Sequence, residues 1–389
     1  MTALFNSSPQ SYDVAIIGAG PAGASAALLL AEHGIHVVIL EKKSLPRYKV
    51  CGGGLLARAK NLLHREVQFP IEKEIHQLDL ALPDLNKEYS VSRKTPLVYM
   101  TMRSELDSAI VEVAKSKGAE LIAPCNIKNI TYNKSDINIS TDGCSISARF
   151  LIGADGANGV VCKSLGLKKN AFLIPAVEWE VYVNDHTYET HAHCARFDYD
   201  VAPKGYGWIF PKKTHLSTGL LSAAPGISSL KTLAENYIHR VLGEKNILSI
   251  EKHGYVIPIK PLPNLQANSR VLLTGDAAGL VDPLTAEGLT NAILSGQLAA
   301  KSLFTSGMNV DKVLTTYQQD IHKEILTELK FARGLAPIFY HKSWLHRKLM
   351  NRFGQPLCEA MGNVVLGKRS YRELLLNPRK YWNLIKSKR

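Results

Sequence analysis

The fold of this chain is decided by the stretch Tyr12-Asp-Val-Ala-Ile-Ile-Gly18-Ala-Gly20-Pro-Ala-Gly23. Its apolar first half predicts a buried strand, and the following residues, 24–33, predict a helix. Gly18 permits the tight turn between them, Gly20 lets the backbone approach a pyrophosphate, and Gly23 lets helix and strand pack closely. The helix start also presents free N–H groups and the positive end of its dipole to the phosphates.

A second predicted strand, Val37 to Leu40, ends at Glu41. The Glu41 carboxylate can accept hydrogen bonds from both ribose hydroxyls of an adenosine, and it is a poor match for a 2′-phosphate. A glycine pattern alone is weak evidence, but strand, glycines, helix, strand and acid occur here in register. The sequence therefore predicts an α/β unit that binds a dinucleotide.

Ten residues beyond that acid stands Cys51-Gly52-Gly53-Gly54. Consecutive glycines let backbone amides approach a flat ligand closely, because no Cβ stands in the way. A thiol at this position would lie beside whatever the upstream unit holds. The pattern favours a redox-cofactor site, and the competing interpretation is a buried cysteine in a flexible turn.

Length and composition narrow the possible classes of protein further. A chain of 389 residues is too long for one nucleotide-binding fold and predicts two domains. The polar residues 1–11 lack a signal-peptide pattern, and no run of eighteen apolar residues predicts a membrane span, so we expect a cytoplasmic protein. The six cysteines lack close-pair spacing, which predicts reduced thiols and no metal or iron–sulfur site.

The positive charge is concentrated at the C-terminus. The net charge is +13, and residues 341–389 hold twelve Lys and Arg against Glu359 and Glu373. Tryptophans such as Trp344 and Trp382 stand among these cations, a mixture that suits peripheral contact with an anionic membrane. The competing interpretation is a solvated helix pair packed on the core. No nucleic-acid motif is present, so nucleic acid is not an expected partner.

Two further predicted strands end in an acid. Leu151-Ile-Gly-Ala-Asp155-Gly156 is the first, and Arg270-Val-Leu-Leu-Thr-Gly275-Asp276 is the second. After the second, Thr285-Ala-Glu-Gly288 opens a long apolar helix. Glycine and acid at the end of a strand are typical of turns that approach a cofactor.

With these motifs the chain resembles the FAD-dependent oxidoreductases of the para-hydroxybenzoate hydroxylase superfamily, and more closely their geranylgeranyl reductase family. Narrower marks are Pro46-Arg-Tyr-Lys-Val-Cys51-Gly-Gly and Tyr206-Gly-Trp-Ile-Phe-Pro-Lys212. The resemblance spans residues 12–304. It implies a Rossmann-like α/β FAD-binding domain with an inserted mixed β-sheet substrate domain and a C-terminal helical segment. The expected boundaries are 1–65, 96–165 and 263–310 for the FAD-binding domain, 66–95 and 166–262 for the substrate domain, and 311–389 for the basic helical segment.

The resemblance also implies which residues bind FAD. The expected contacts are Gly18, Gly20 and Gly23 with the pyrophosphate, Glu41 with the adenosine ribose, Ile127 with the adenine, Arg103 with the cofactor, Cys51, Gly52 and Gly54 with the flavin end, Asp276 with the ribityl chain, and Gly288 and Leu289 with the pyrimidine edge of the flavin.

The activity implied is reduction of isolated C=C bonds in a polyprenyl chain. Tyr206, Trp208 and Phe210 alternate along a predicted strand and face one side, as an aromatic wall for a prenyl tail requires. A packed sheet face is the competing interpretation. Cys51 is either the proton donor or a packing group beside the flavin. Only one dinucleotide motif is present, so the electron donor is NAD(P)H bound transiently, such as NADPH, or a ferredoxin.

Two other functions stay open at this point. A flavin-dependent monooxygenase or halogenase shares the fold, and so does a non-enzymatic electron-transfer flavoprotein. The isoprenoid substrate also stays open among pigments, ether lipids, prenyl diphosphates and quinone tails. The sequence indicates no oligomeric state.

Overall fold

The computed structural model describes residues 9–133, 135–167, 172–227, 229–263, 265, 269–340 and 343–376. The strands are β1 (Gln10–Ile17), β2 (Val37–Leu40), β3 (Gly54–Leu56), β4 (Lys73–Ile75), β5 (Gln77–Leu82), β6 (Lys87–Ser92), β7 (Val98–Met100), β8 (Glu120–Ile122), β9 (Ile127–Tyr132), β10 (Ile137–Thr141), β11 (Ser145–Gly153), β12 (Leu173–Val183), β13 (Cys194–Tyr199), β14 (Gly205–Pro211), β15 (Leu216–Ser222), β16 (Ile247–Pro258) and β17 (Val271–Leu273). The helices are α1 (Pro21–Glu32), α2 (Ala57–Lys60), α3 (Arg103–Ser116), α4 (Val160–Ser164), α5 (Asp185–His191), α6 (Leu230–Leu242), α7 (Leu289–Thr305), α8 (Val310–Ile321), α9 (Thr327–Tyr340), α10 (Ser343–Val365) and α11 (Tyr371–Leu376).

The first sheet contains the predicted dinucleotide unit. Its strand order is β8-β2-β1-β11-β10-β9, and β17 also pairs with β11. The strands β8, β2, β1, β11 and β17 run parallel, and every residue of β2 is buried, as expected for a parallel strand covered on both faces. Helix α1 packs against α3 and α7. The carboxyl ends of the parallel strands therefore meet at one edge, which is where open α/β sheets bind ligands.

The second sheet has the order β16-β12-β15-β14-β13-β5-β6 and is mixed, because β5 and β13 are parallel while the other pairs are antiparallel. Helix α6 covers one face, where Trp179, Leu220 and Tyr237 share a buried cluster. The chain enters this sheet twice, first with β5 and β6 and again with β12 to β16. This confirms the predicted α/β class with a second mixed sheet, while the numerical domain boundaries stay a prediction.

A small sheet has the order β3-β7-β4, and along the chain its strands flank β5 and β6 of the second sheet. Its first strand begins at Gly54, so the Cys51-Gly-Gly run leads directly into it. Met100 pairs with Gly54, and Thr101 N donates a 2.9 Å hydrogen bond to the Gly53 carbonyl oxygen. The glycine run is therefore held in place by the backbone of residues 100–101.

The C-terminal helices pack on the second sheet. A Cβ on Gly354 of α10 would stand 2.2 Å from the Tyr89 ring of β6, so glycine allows the helix to lie directly on that strand. Met350 and Cys358 of α10 are fully buried. The predicted basic segment is thus helical and partly packed, and its residues 341–342 and 377–389, including Trp382, lie outside the described residues. Among the described helices, none is both long enough and apolar enough to cross a membrane.

Candidate active site

A tight glycine turn joins β1 to α1 at the carboxyl edge of the first sheet. Gly18 has a φ of +106°, and a Cβ there would stand 2.4 Å from the Ala154 carbonyl oxygen. A Cβ on Gly23 would stand 2.0 Å from the Gly18 carbonyl oxygen. A Cβ on Gly20 would meet only the Arg103 guanidinium within 4 Å, at 3.7 Å, so this side of the turn is open. The turn is therefore packed tightly on the protein side and open toward Arg103.

Four charged side chains form a network beside this turn. Asp107 of α3, which is fully buried, accepts hydrogen bonds of 2.8 and 2.9 Å from Arg103 and one of 2.9 Å from Arg47. Arg47 also pairs with Glu41 at 3.2 Å. Glu41 lies at the end of β2, where its Oε2 accepts a 2.9 Å hydrogen bond from the Ala19 amide. The network fixes both guanidinium groups and the Glu41 carboxylate at the glycine turn.

Lys49 adds a further cation to this edge. Its ammonium lies 3.3 Å from the centre of the Tyr255 ring, and within the described part of the chain it forms no ion pair. Burial, and then the nearby charge of Arg103, lower the pKa of Lys49 to about 8. Asp276 faces both cations, and burial raises its pKa against their pull. Lys49 and Arg103 therefore act on the same place, where two cations can attract an anionic ligand.

The start of α7 lies beside this acid. Gly288 is the N-cap residue of α7, and the neighbouring Glu287 side chain accepts a 2.7 Å hydrogen bond from Thr290 N in the first turn. A Cβ on Gly288 would stand 3.4 Å from Asp276 Oδ1. The first residue of the helix, Leu289, is therefore placed at the same edge as the glycine turn. Glu287 occupies one of the N–H groups at this helix start, and the amide of Leu289 can serve a ligand.

The residues at this edge fit the FAD that the resemblance implies. Helix α1 begins after Gly20 with no side-chain cap, so an open turn, a free helix start and two cations are available to a pyrophosphate. Ile127 begins β9 close to Glu41, whose carbonyl oxygen accepts a 2.8 Å hydrogen bond from Cys125 N. The structure thus brings the predicted adenine and ribose contacts to one place. Their individual roles stay predictions.

The glycine run after Cys51 lies against β14. A Cβ on Gly52 would stand 2.9 Å from the Phe210 ring and 3.3 Å from Trp208 Nε1. Gly53 has a φ of +68°, and a Cβ there would stand 2.1 Å from Lys212 Nζ. The close approach that glycine permits is therefore to the side chains of β14.

Those β14 side chains form the aromatic row predicted from the alternation. The ring centroids of Tyr206 and Trp208 are 6.2 Å apart, and those of Trp208 and Phe210 are 6.3 Å apart. The Tyr206 hydroxyl donates a 2.5 Å hydrogen bond to the Thr285 carbonyl oxygen, in the loop that leads to α7. Trp208 Nε1 is buried without a hydrogen-bond partner in the described residues. The row thus connects the Cys51 segment with the start of α7.

Sequence reasoning missed a group of buried ionisable residues next to this row. Lys212 is fully buried one alternation beyond Phe210, and its Nζ donates a 2.9 Å hydrogen bond to the Thr101 carbonyl oxygen. On β12, Glu178 and Glu180 are buried on the same sheet face. In the sequence, the signal for this group was the pair of glutamates that alternate along the otherwise apolar strand 173–183.

Asp155 has a structural task at the end of β11. Its Oδ2 accepts a 2.9 Å hydrogen bond from Val161 N at the start of α4. A Cβ on Gly159 would stand 2.1 Å from Asp155 Oδ1, so glycine is needed for this close approach. The acidic turn therefore holds α4 against the sheet.

The comparisons with known proteins agree with this geometry. Residues 11–199 match the family model described as an FAD binding domain. The chain is 30% identical over 360 residues to the chloroplastic geranylgeranyl diphosphate reductase of rice, covering 85% of this chain and 75% of that one. It is also 30% identical over 316 residues to the menaquinone reductase of Mycobacterium tuberculosis, covering 75% of this chain and 76% of that one.

A solved structure has the same fold. It is a geranylgeranyl bacteriochlorophyll reductase-like protein from Thermoplasma acidophilum, with a TM-score of 0.76 and 21% identity. The match covers 87% of this chain and 91% of that one.

Proposed function

The chain belongs to the geranylgeranyl reductase family of FAD-dependent oxidoreductases, and from this premise we propose that it saturates isolated C=C bonds in a polyprenyl chain carried by a lipid, a pigment or a quinone. The observation that supports the proposal most directly is the contact between the Cys51-Gly-Gly run and the aromatic row of β14. A flavin-facing segment and an apolar wall meet there.

FAD, when bound, supplies the hydride for such a reduction. The protein must orient the alkene and exclude water, because an unactivated double bond offers no carbonyl group to polarise. In this proposal Tyr206 and Trp208 position the prenyl chain. Both side chains are buried at the site, with exposed fractions of 5% and 6%.

Cys51 is the proposed proton donor. Its Sγ accepts a 3.4 Å hydrogen bond from Gly53 N and interacts with the charges of Lys49, Arg103 and Lys212. The proposed electron donor is NAD(P)H or a ferredoxin, because the chain carries a single dinucleotide-binding unit.

The substrate's insolubility favours work at a membrane surface. Trp344, Leu375 and Leu376 on the C-terminal helices are exposed, with exposed fractions of 68%, 45% and 60%. The surrounding segment holds most of the net positive charge of the chain. Exposed apolar side chains among cations support peripheral contact with an anionic bilayer.

The test is anaerobic oxidation of the photoreduced holoprotein by candidate prenyl compounds. Geranylgeranyl diphosphate, a geranylgeranylated glycerolipid and menaquinone should each be mixed with the protein, with flavin absorbance and product mass as readouts. We expect at least one compound to restore the oxidised flavin spectrum and to gain two hydrogens per double bond. Cys51→Ala should keep FAD and slow this step about a hundredfold, as for loss of a general acid.

A flavin that only oxygen reoxidises, with halide or hydroxyl incorporated into an aromatic acceptor, would instead identify a monooxygenase or halogenase. A wild-type rate of flavin oxidation by substrate in Cys51→Ala would remove the thiol from the role of acid.

A further inference from the structure

A loop of seven residues, Asp282-Pro-Leu-Thr-Ala-Glu-Gly288, leads from the Asp276 turn to the start of α7. Its own backbone closes it, because Asp282 N donates a 2.9 Å hydrogen bond to the Glu287 carbonyl oxygen and Ala286 N donates one of 2.8 Å to the Asp282 carbonyl oxygen. Ala286 has a φ of +54°, in the left-handed region that a residue with a side chain rarely adopts. The surrounding contacts must therefore hold this shape.

Asp282 is the centre of these contacts. It is 2% exposed, and its Oδ1 accepts hydrogen bonds of 2.8 Å from Leu284 N and 3.3 Å from Thr285 N. Its other carboxylate oxygen, Oδ2, accepts a 2.9 Å hydrogen bond from the Tyr371 hydroxyl of α11. One buried carboxylate thus binds the loop to itself and to the C-terminal helix.

Tyr371 is held in place from the C-terminal side. Its backbone N donates a 2.8 Å hydrogen bond to Glu328 Oε2 of α9, and its side chain shares a buried cluster with Leu284 of the loop. Burial, and then the charge of Asp282, raise the pKa of Tyr371, so its hydroxyl keeps its proton and remains a donor to Asp282. Tyr340 of α9 makes a second link, since its hydroxyl donates to the Leu284 carbonyl oxygen.

The loop carries two parts of the proposed active site. Its Thr285 carbonyl oxygen accepts the hydrogen bond from the Tyr206 hydroxyl, which fixes the first ring of the aromatic row. The loop ends at Gly288 and Leu289, where the Leu289 amide is available to the flavin edge that the resemblance implies. A shift of the loop would therefore move the prenyl wall and the N–H group for the flavin together.

We propose that Asp282 and Tyr371 are positioning residues, which hold this loop so that the Leu289 amide and the Tyr206 ring keep a fixed relation, an inference that rests on the proposed function. Neither residue touches the reacting atoms, and both act through the loop. A buried carboxylate is costly, and a mere connection between the Asp276 turn and α7 would not require one. The C-terminal helix α11 is thereby a working part of the flavin site.

The expected signature is electrostatic. N–H groups at a helix start stabilise the negative charge that a flavin gains on reduction. If the loop loosens, the Leu289 amide is held less firmly near that charge. The bound flavin should then be harder to reduce, and FAD should bind more weakly. A residue that only stabilises the fold changes neither property of the folded holoprotein.

The first test is Tyr371→Phe, which removes only the hydroxyl bonded to Asp282. The matched control is Tyr237→Phe, because the Tyr237 hydroxyl of α6 likewise donates a 2.7 Å hydrogen bond to a buried carboxylate, that of Asp198 on β13. Flavin fluorescence titration measures FAD affinity, and equilibration with a redox dye measures the reduction potential of the bound flavin.

Tyr371→Phe should bind FAD about fivefold more weakly and should be reduced at a more negative potential than the wild type. Tyr237→Phe should match the wild type in both properties. Wild-type affinity and wild-type potential in Tyr371→Phe overturn the proposal.

Two variants of Asp282 separate the hydrogen bonds from the presence of a side chain. Asp282→Asn keeps Oδ1 as an acceptor for the Leu284 and Thr285 amides, and its new N–H group can donate to the Tyr371 oxygen. Asp282→Ala keeps none of these bonds and should bind FAD about tenfold more weakly, whereas Asp282→Asn should lose less. Equal losses in the two folded variants contradict positioning by these bonds. If Asp282→Ala does not fold, Tyr371→Phe decides the proposal.

The link to the aromatic row is tested with the prenyl compound that reoxidises the wild type. Tyr371→Phe should raise the KM for that compound, because the Tyr206 hydroxyl loses a fixed acceptor at Thr285. Tyr206→Phe should raise this KM as well. In the double variant the two increases should not multiply, because both act through the same loop. Effects that multiply would overturn the link between Tyr371 and the row.

Failure of the positioning role and failure of the proposed function give different results. The flavin measurements need no prenyl compound. If no prenyl compound reoxidises the wild type, the proposed function fails, and Tyr371→Phe still decides whether the loop is positioned for FAD. A wild type that reduces a prenyl chain, with unchanged flavin properties in Tyr371→Phe, keeps the function and removes the positioning role.

Discussion

Replacing Asp107 should have the largest effect at the carboxyl edge of the first sheet, where FAD is expected to bind. It is fully buried and accepts three hydrogen bonds, of 2.8, 2.9 and 2.9 Å, from two guanidinium groups. Burial by itself lowers the pKa of Arg103, but the charge and hydrogen bonds of the Asp107 carboxylate have the larger effect and raise it. Removing the negative charge leaves two poorly solvated cations close together.

The change to make is Asp107→Asn, which keeps the shape of the side chain. One carbonyl oxygen can still accept a hydrogen bond, but the new amide N–H groups face the N–H groups of Arg103 or Arg47. Breaking a buried ion pair by removing one partner costs about 3–5 kcal/mol. We therefore expect the free energy of unfolding of the apoprotein to fall by about that amount, and FAD affinity to fall as well because Arg103 loses its orientation.

Urea denaturation of the apoprotein, followed by tryptophan fluorescence, measures the first effect, and flavin fluorescence titration measures the second. Glu112→Gln is the control on the same helix, because Glu112 forms an exposed ion pair with Lys115 that should contribute less than about 1 kcal/mol. If Asp107→Asn and Glu112→Gln destabilise the protein equally, the buried network does not support this edge and the reasoning is refuted.

Three further outcomes are expected. Gly53→Ala should destabilise the protein by at least about 1–2 kcal/mol in urea denaturation, because Gly53 has a φ of +68° and a Cβ would stand 2.1 Å from Lys212 Nζ. Gly34→Ala is the control, because Gly34 has a φ of +73° but open space around it, so this change measures the cost of the backbone conformation alone. Equal losses of stability in the two variants would contradict the contact with Lys212. Lys49→Met should weaken FAD binding about tenfold at pH 7. The FAD affinity of the wild type should decline above about pH 8 as Lys49 loses its proton, and the affinity of the variant should lack this decline. Trp344→Ser should reduce co-sedimentation with anionic vesicles. Leu248→Ser is the control, because Leu248 is 71% exposed but lies on β16, and it should not reduce co-sedimentation. Equal binding by both variants would show that Trp344 is not part of the membrane contact.

The nucleotide unit could be predicted because its determinants are local. Strand, glycine turn, helix and Glu41 lie within thirty residues, and each constrains its immediate neighbours. The aromatic row could be predicted for the same reason, since alternation along one strand places Tyr206 and Trp208 on one face.

The ionisable cluster could not be predicted in this way. The pairing of β12 with β15 and of β15 with β14 brings Glu178 close to Lys212. Tyr48 comes from the segment between β2 and β3 and reaches Glu178 by a 2.9 Å hydrogen bond. Strand register depends on packing partners far away in the chain, so no local pattern specifies it. The pairing of Arg47 with Asp107, sixty residues apart, was hidden for the same reason.

The packing of α10 on the hairpin of β5 and β6 has a consequence for synthesis of the protein. Cys358 Sγ reaches the Tyr89 carbonyl oxygen, and the Gln355 side chain donates to the Ser90 carbonyl oxygen, across more than 260 positions of the chain. During translation the hairpin emerges more than 260 residues before the part of α10 that contacts it, and α10 cannot cover its apolar face until then. The hairpin is therefore open to association with other chains during that interval, which chaperone binding or faster elongation would limit.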